Sequence, residues 1–270
     1  MSVRDSENAV PLTARNLSAG YARKNILEHL DFEILHGRFT VLIGPNGCGK
    51  STLLRALCNL MPVRDGSVLL DGCQISEFST KEIARRVGVL AQGPVAPEGL
   101  TVQDLARQGR YPHRSLFGQW SDEDEIACRT ALELTALTDL KDRAIDNLSG
   151  GQRQRAWIAM TLAQQTGILL LDEPTTYLDL AHQIEVLDLV QRLVREQQTT
   201  VVAVLHDINQ AARYADHIVA MKDGRIAVQG SPEEVINKET IEAVFGVRVA
   251  IVTCPVDGAP LAIPLTGRQK

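Results

Sequence analysis

The stretch GPNGCGKST at residues 44–52 decides the architecture of this chain, because it satisfies G-x-x-x-x-G-K-[ST] at every fixed position. Glycines at 44, 47 and 49 let the backbone curl into a nest of N–H groups around phosphate oxygens, and Lys50 adds a point charge. Ser51 offers a hydroxyl suited to Mg2+. The flanks fit as well: residues 39–43 form an apolar, strand-like run, and residues 53–60 read as a helix. A strand, a glycine loop and a helix start in that order seat an anion at the positive end of the helix.

Working outward, residues 168–171 form a four-residue apolar run closed by Asp172 and Glu173, the pattern of a buried parallel strand with two carboxylates at its C-terminal end. Asp172 suits a Mg2+ hydration shell, and Glu173, pointing elsewhere, suits polarisation of an attacking water. Upstream, LSGGQRQR at residues 148–155 reads as a side-chain-poor turn of Ser149, Gly150 and Gly151 before an amphipathic helix, with Ala156, Ile158, Ala159, Leu162 and Ala163 as its apolar stripe. Such a turn presents N–H groups to a second anion, although in isolation it is equally a plain capped helix start.

Composition narrows the class. The 270 residues, 44% of them hydrophobic, suffice for one sizeable α/β domain with subdomains. The net charge of −5 argues against a sequence-independent grip on nucleic acid. No apolar run approaches the roughly 18 residues of a membrane span, and residues 1–10 lack the apolar centre of a signal peptide. Five cysteines without C-x-x-C point to reduced thiols rather than disulfides or zinc, and the six histidines form no metal-spaced cluster. Cys48, inside the loop beside Lys50 and a helix start, is expected to favour the thiolate.

The glycine loop, LSGGQ and LLLDEP in this order resemble the nucleotide-binding subunit of an ATP-binding cassette (ABC) transporter, from about residue 12 to 230. The resemblance implies a P-loop NTPase fold of the α/β class, with a RecA-like core, an antiparallel β subdomain and a helical subdomain. It implies that ATP and Mg2+ bind along Gly44, Pro45, Asn46, Gly47, Cys48, Gly49, Lys50, Ser51 and Thr52, with Tyr21 stacked on adenine. Metal contacts fall to Ser51, Gln92 and Asp172, and catalysis to Glu173, Gln92 and His206. Ser149, Gly150, Gly151 and Gln152 would close over ATP held by the opposite subunit, with Asp179 in the loop crossing between subunits.

The boundaries implied are a core with its β subdomain at about 12–92 and 165–230, a helical subdomain at about 93–164 and a tail at 231–270. Within them, Asp71-Gly72 and Asp223-Gly224 are expected as turns between strands. Helices are expected from Ser121, from about 180 to 196 and from Ser231, a strand over 199–205, and a hairpin over 247–265 around Asp257-Gly258.

GRYPHRSLFGQWSDED at residues 109–124, LSGGQRQRAWIAMTLAQ and LLLDEPTTYLDLAHQIEVLDL are similar to ferric-siderophore importer ATPases of the ferric-enterobactin type. Partners implied are a second copy of the chain, two membrane-spanning permease subunits and, indirectly, a substrate-binding protein. The place implied is the cytoplasmic face of the cell membrane, as a peripheral subunit. Cobalamin and haem importers share much of this pattern, and a soluble ABC ATPase of iron–sulfur cluster assembly would share every nucleotide motif. A chromosome-structure or DNA-repair ATPase would need a long coiled coil between Lys50 and Leu148, where no sustained heptads occur.

Overall fold

Residues 11–22, 24–114 and 119–265 are described by the computed structural model. Residues 1–10, read above for a signal peptide, and residues 115–118 of the 109–124 stretch lie outside the described residues. In chain order the elements are β1 (Leu12–Tyr21), β2 (Lys24–Glu33), β3 (Phe39–Ile43), α1 (Lys50–Leu57), β4 (Val63–Leu70), β5 (Cys73–Gln74), α2 (Thr80–Ala84) and β6 (Val87–Leu90). There follow α3 (Val102–Gln108), α4 (Asp122–Leu134), α5 (Gly150–Ala163), β7 (Ile168–Leu171), α6 (Leu180–Gln197), β8 (Thr200–Val204) and α7 (Ile208–Tyr214). The chain closes with β9 (His217–Lys222), β10 (Arg225–Gly230), α8 (Pro232–Val235), α9 (Lys238–Phe245), β11 (Val249–Thr253) and β12 (Pro260–Pro264).

The contacts divide the chain into two compact units, one running to Glu77 and resuming at Val202, the other spanning Phe78–Val201. In the first unit, β2-β1-β4-β5 form an antiparallel sheet. A second sheet runs β10-β9-β3-β8, with β3 and β9 parallel. Every residue of β3 and of β8 is buried, as strands covered on both faces must be. Leu53, Leu54 and Leu57 of α1 are fully buried, each worth about 1.5–3 kcal/mol of transfer free energy. β11 and β12 pair as the hairpin expected around Asp257-Gly258.

Both Asp-Gly turns form as expected. Asp71 and Gly72, and again Asp223 and Gly224, take positive φ between directly paired strand ends, as a tight two-residue hairpin requires. Among the described residues, no helix is long and apolar enough to cross a membrane.

In the second unit, β6 pairs with β7 in parallel through Leu90 and Leu171. α5 is the hub of this unit and packs on α3, α4, α6 and β6. That centrality corrects the amphipathic expectation: Ala156, Trp157, Ile158, Ala159, Thr161 and Ala163 are all buried, while Leu162 is half-buried. A helix walled by neighbours on several sides has no single apolar stripe, and its alanines let those neighbours approach closely.

Candidate functional site

The glycine loop begins at the end of β3. Leu205 donates its backbone N–H to the carbonyl of Leu42 at 3.2 Å, so β3 and β8 deliver Gly44 and His206 to the same sheet end. Gly44 sits at φ 149°, and a Cβ there would come within 2.2 Å of the Met221 carbonyl oxygen, so no other residue fits that position unchanged. Gly49 caps α1 in a left-handed conformation with no side-chain cap bond. By contrast, Ser79, Thr101, Ser121, Ser149 and Ser231 close their helices with capping boxes. The start of α1 thus has no side-chain cap.

Lys50 is buried, and its ammonium donates to the carbonyls of Gly44 at 2.8 Å and Pro45 at 3.0 Å. The charge is thus stored within the loop rather than spread into solvent. Pro45 is half-buried, Asn46 and Gly47 are exposed, and Ser51 and Thr52 begin α1. Cys48 departs from expectation. Burial raises its thiol above the ordinary range, and the opposing charge of Lys50 does not overcome that effect. Tyr21 ends β1 half-exposed, its hydroxyl accepting from Arg55 at 2.8 Å.

The second unit carries the acidic groups. Asp172 donates its backbone N–H to the Leu90 carbonyl at 2.9 Å, so Gln92 and the Asp172-Glu173 pair leave neighbouring parallel strands at one end. Asp172 is buried, whereas Glu173 is half-buried at φ 55°, a conformation that costs a non-glycine residue about 1–2 kcal/mol and recurs at functional sites. One carboxylate oxygen of Glu173 accepts from Gln92 at 2.8 Å and from Thr176 at 3.0 Å. Thr176 was invisible in the sequence because its role rests on the turn that follows Glu173.

Ser149 is the N-cap of α5, with Gly150 and Gly151 already in the helix and neither at positive φ. The expected turn is therefore the first turn of the helix itself. Ser149 Oγ accepts from the Gln152 N–H at 3.2 Å, and Gln152 accepts the Ser149 N–H in return, which leaves the hydroxyl proton available to a ligand. Asp179 caps α6 and accepts from both the backbone N–H and the ring Nδ1 of His182, which hold its carboxyl below the usual range.

A sequence model of the family described as ABC transporter matches residues 27–176 of this chain. The chain belongs to that family. As an ABC transporter ATP-binding chain, its expected activity is ATP hydrolysis. It is 52% identical over 260 residues to the ferric enterobactin transport ATP-binding protein of Escherichia coli K12, covering 96% of each. It is also 52% identical over 253 residues to the petrobactin import ATP-binding protein FpuD of Bacillus anthracis, covering 94% of this chain and 93% of that one. Among solved structures, a dimeric ATP-binding cassette in a post-hydrolysis state with ADP and Pi superposes with a TM-score of 0.71 at 28% identity, over 82% of this chain and 98% of that one. The α/β cassette fold implied by the resemblance is the fold the chain adopts.

Proposed function

We propose that this chain hydrolyses ATP to power import of a ferric siderophore, working as a pair of identical subunits at the cytoplasmic face of the membrane beneath two membrane-spanning permease subunits. A substrate-binding protein would act with the permeases. The observation that carries the ATPase is Glu173: a carboxylate at a sheet end, in a strained conformation, steadied by Gln92 and Thr176, in a chain whose glycine loop is intact. The cargo class rests on relatives at about half identity over nearly the whole chain, whose names specify enterobactin and petrobactin transport.

In this reading the N–H groups of the 44–52 loop and the start of α1 bind the β and γ phosphates, and Lys50 exchanges its carbonyl partners for phosphate oxygens. Tyr21 offers its exposed ring to the adenine. Glu173 orients and polarises the attacking water, Gln92 fixes the carboxylate, and His206 faces the γ-phosphate. Ser149, Gly150, Gly151 and Gln152 serve the nucleotide of the opposite copy, which makes closure of the pair the condition for turnover. Ser51, Gln92 and Asp172 would hold Mg2+. These oxygen donors suit that ion, and the described residues contain no cluster of three or more His, Cys, Asp or Glu side chains that would build an all-protein cage. The ion would neutralise charge on the phosphate oxygens.

Deleting the gene and measuring uptake of labelled ferric siderophores, haem and cobalamin in parallel tests the cargo. Selective loss of ferric-siderophore uptake is expected. Unchanged uptake of all three would refute the assignment.

A further inference from the structure

His182 was not singled out by any motif, yet it touches two of the segments assigned to the opposite nucleotide. Its Nδ1 lies 2.6 Å from Asp179 Oδ1, which also takes the His182 backbone N–H at 3.0 Å. The ring also occupies the space beside Gly151. A Cβ at Gly151 would stand 2.2 Å from His182 Cδ2 and 2.4 Å from Cγ. Beside it, the Tyr177 carbonyl oxygen lies 3.8 Å from the Cβ position of Gly150, in ordinary van der Waals contact. One turn further along the two helices, Arg155 of α5 pairs with Glu185 of α6 at 3.5 Å.

We propose that His182 is a positioning residue that joins the Ser149-Gly150-Gly151 helix start to the loop ending at Asp179, so that both present to the partner's nucleotide as one rigid surface. The chemistry needs two faces in one side chain. The ring fills the space that only a glycine at 151 leaves open, and the Nδ1 proton fixes the Asp179 carboxylate in the orientation that caps α6. Alanine supplies neither face. Asparagine restores a donor at the δ position without the ring. With His182 gone, the helix start and the loop move independently, and closure must order them at the moment it occurs.

This inference rests on the functional reading above. The test compares the purified full chain with His182→Ala and His182→Asn, recording steady-state ATP hydrolysis, binding of a fluorescent ATP analogue to the monomer, and ATP-driven pairing in a Glu173→Gln background. Loss of a hydrogen bond to a charged group predicts a fall in kcat of about ten-fold or more for His182→Ala. Monomer nucleotide affinity should stay within about two-fold, since His182 touches Asp179 and Gly151, which serve the nucleotide of the opposite copy. Pairing in the Glu173→Gln background should weaken in step with kcat, and His182→Asn should recover part of the loss.

Wild-type kcat in His182→Ala, or a fall in monomer affinity matching the fall in kcat, would overturn the proposal. If the alanine variant fails to fold, the asparagine variant decides: wild-type kcat and pairing there would show that the ring contact contributes nothing. A Glu173→Gln chain that still hydrolyses ATP would instead defeat the functional reading, independently of His182.

Discussion

Arg110 lies in the GRYPH stretch whose sequence resemblance spoke to ancestry, and in the fold it is a buried tie between three helix ends. It follows Gly109, the C-cap of α3. Its Nε donates to Asp124 Oδ1 at 2.8 Å, and Nη1 donates to the Ala163 carbonyl at 2.9 Å and to Gln165 Oε1 at 2.8 Å. The other carboxylate oxygen of Asp124 accepts the Ser121 N–H and hydroxyl at the start of α4. Side-chain exposure is 4% for Arg110 and 7% for Asp124, so Arg110→Ala strands an ion and a helix-end carbonyl away from water. Breaking a buried pair from one side costs about 3–5 kcal/mol, a large part of a typical domain's stability of about 5–15 kcal/mol. At about 2–4 °C per kcal/mol, the melting temperature should fall by about 10 °C.

The assay is thermal unfolding of the full chain by circular dichroism at several pH values. Burial pushes the Asp124 carboxyl up, but the hydrogen bonds from Arg110 and Ser121 together outweigh it and hold the group below the usual range. A depressed folded value contributes stability above the unfolded value of about 3.9, and that stability is lost as pH falls through the folded value. The gap between wild type and Arg110→Ala should therefore be full at pH 7 and close on acidification. Replacing both partners with Met and Leu should recover much of the loss, since apolar residues leave no stranded charge. A single variant melting within about 2 °C of wild type at pH 7, well under the shift expected per kcal/mol, would refute the reasoning.

Glu173→Gln should retain ATP binding while abolishing turnover and trapping a closed pair, read by hydrolysis rates and light scattering; normal steady-state hydrolysis would contradict the role of Glu173. Gly44→Ala should weaken nucleotide binding far more than Gly47→Ala, because the added Cβ meets the Met221 carbonyl at 2.2 Å at the first site and nothing within 4 Å at the second. Titration with a fluorescent ATP analogue reads the difference, and equal effects would count against the loop geometry. Alkylation followed by peptide mapping near neutral pH should label exposed Cys73 first and Cys48 slowly. Cys58 and Cys128, both pushed up to about 11 by burial, should react only on unfolding. Cys48 modified as fast as Cys73 would show that Lys50 prevails over burial after all.

Much of the candidate site was readable because its parts are contiguous. The 44–52 loop and its strand and helix flanks, or Asp172-Glu173 behind an apolar run, carry their chemistry in residues a few positions apart, and local backbone geometry fixes their shape whatever surrounds them. What lay beyond the sequence depends on distance along the chain and on burial. Arg110 finds Asp124 fourteen residues away and Gln165 fifty-five away, and only the packing of α3, α4 and α5 makes that a desolvated pair. Cys48 shares its loop with Lys50, but the balance between a nearby charge and lost hydration is set by how deeply the loop is buried. The LSGGQ stretch announced a helix start, while its join to Asp179 through His182 exists only because α5 and α6 pack side by side. The sequence by itself determined the glycine loop between its strand and helix and the carboxylate pair behind an apolar run, since each is contiguous. Tertiary structure decided which side chains hold them in place, since that takes contacts between segments far apart in the chain and the exclusion of water from between them.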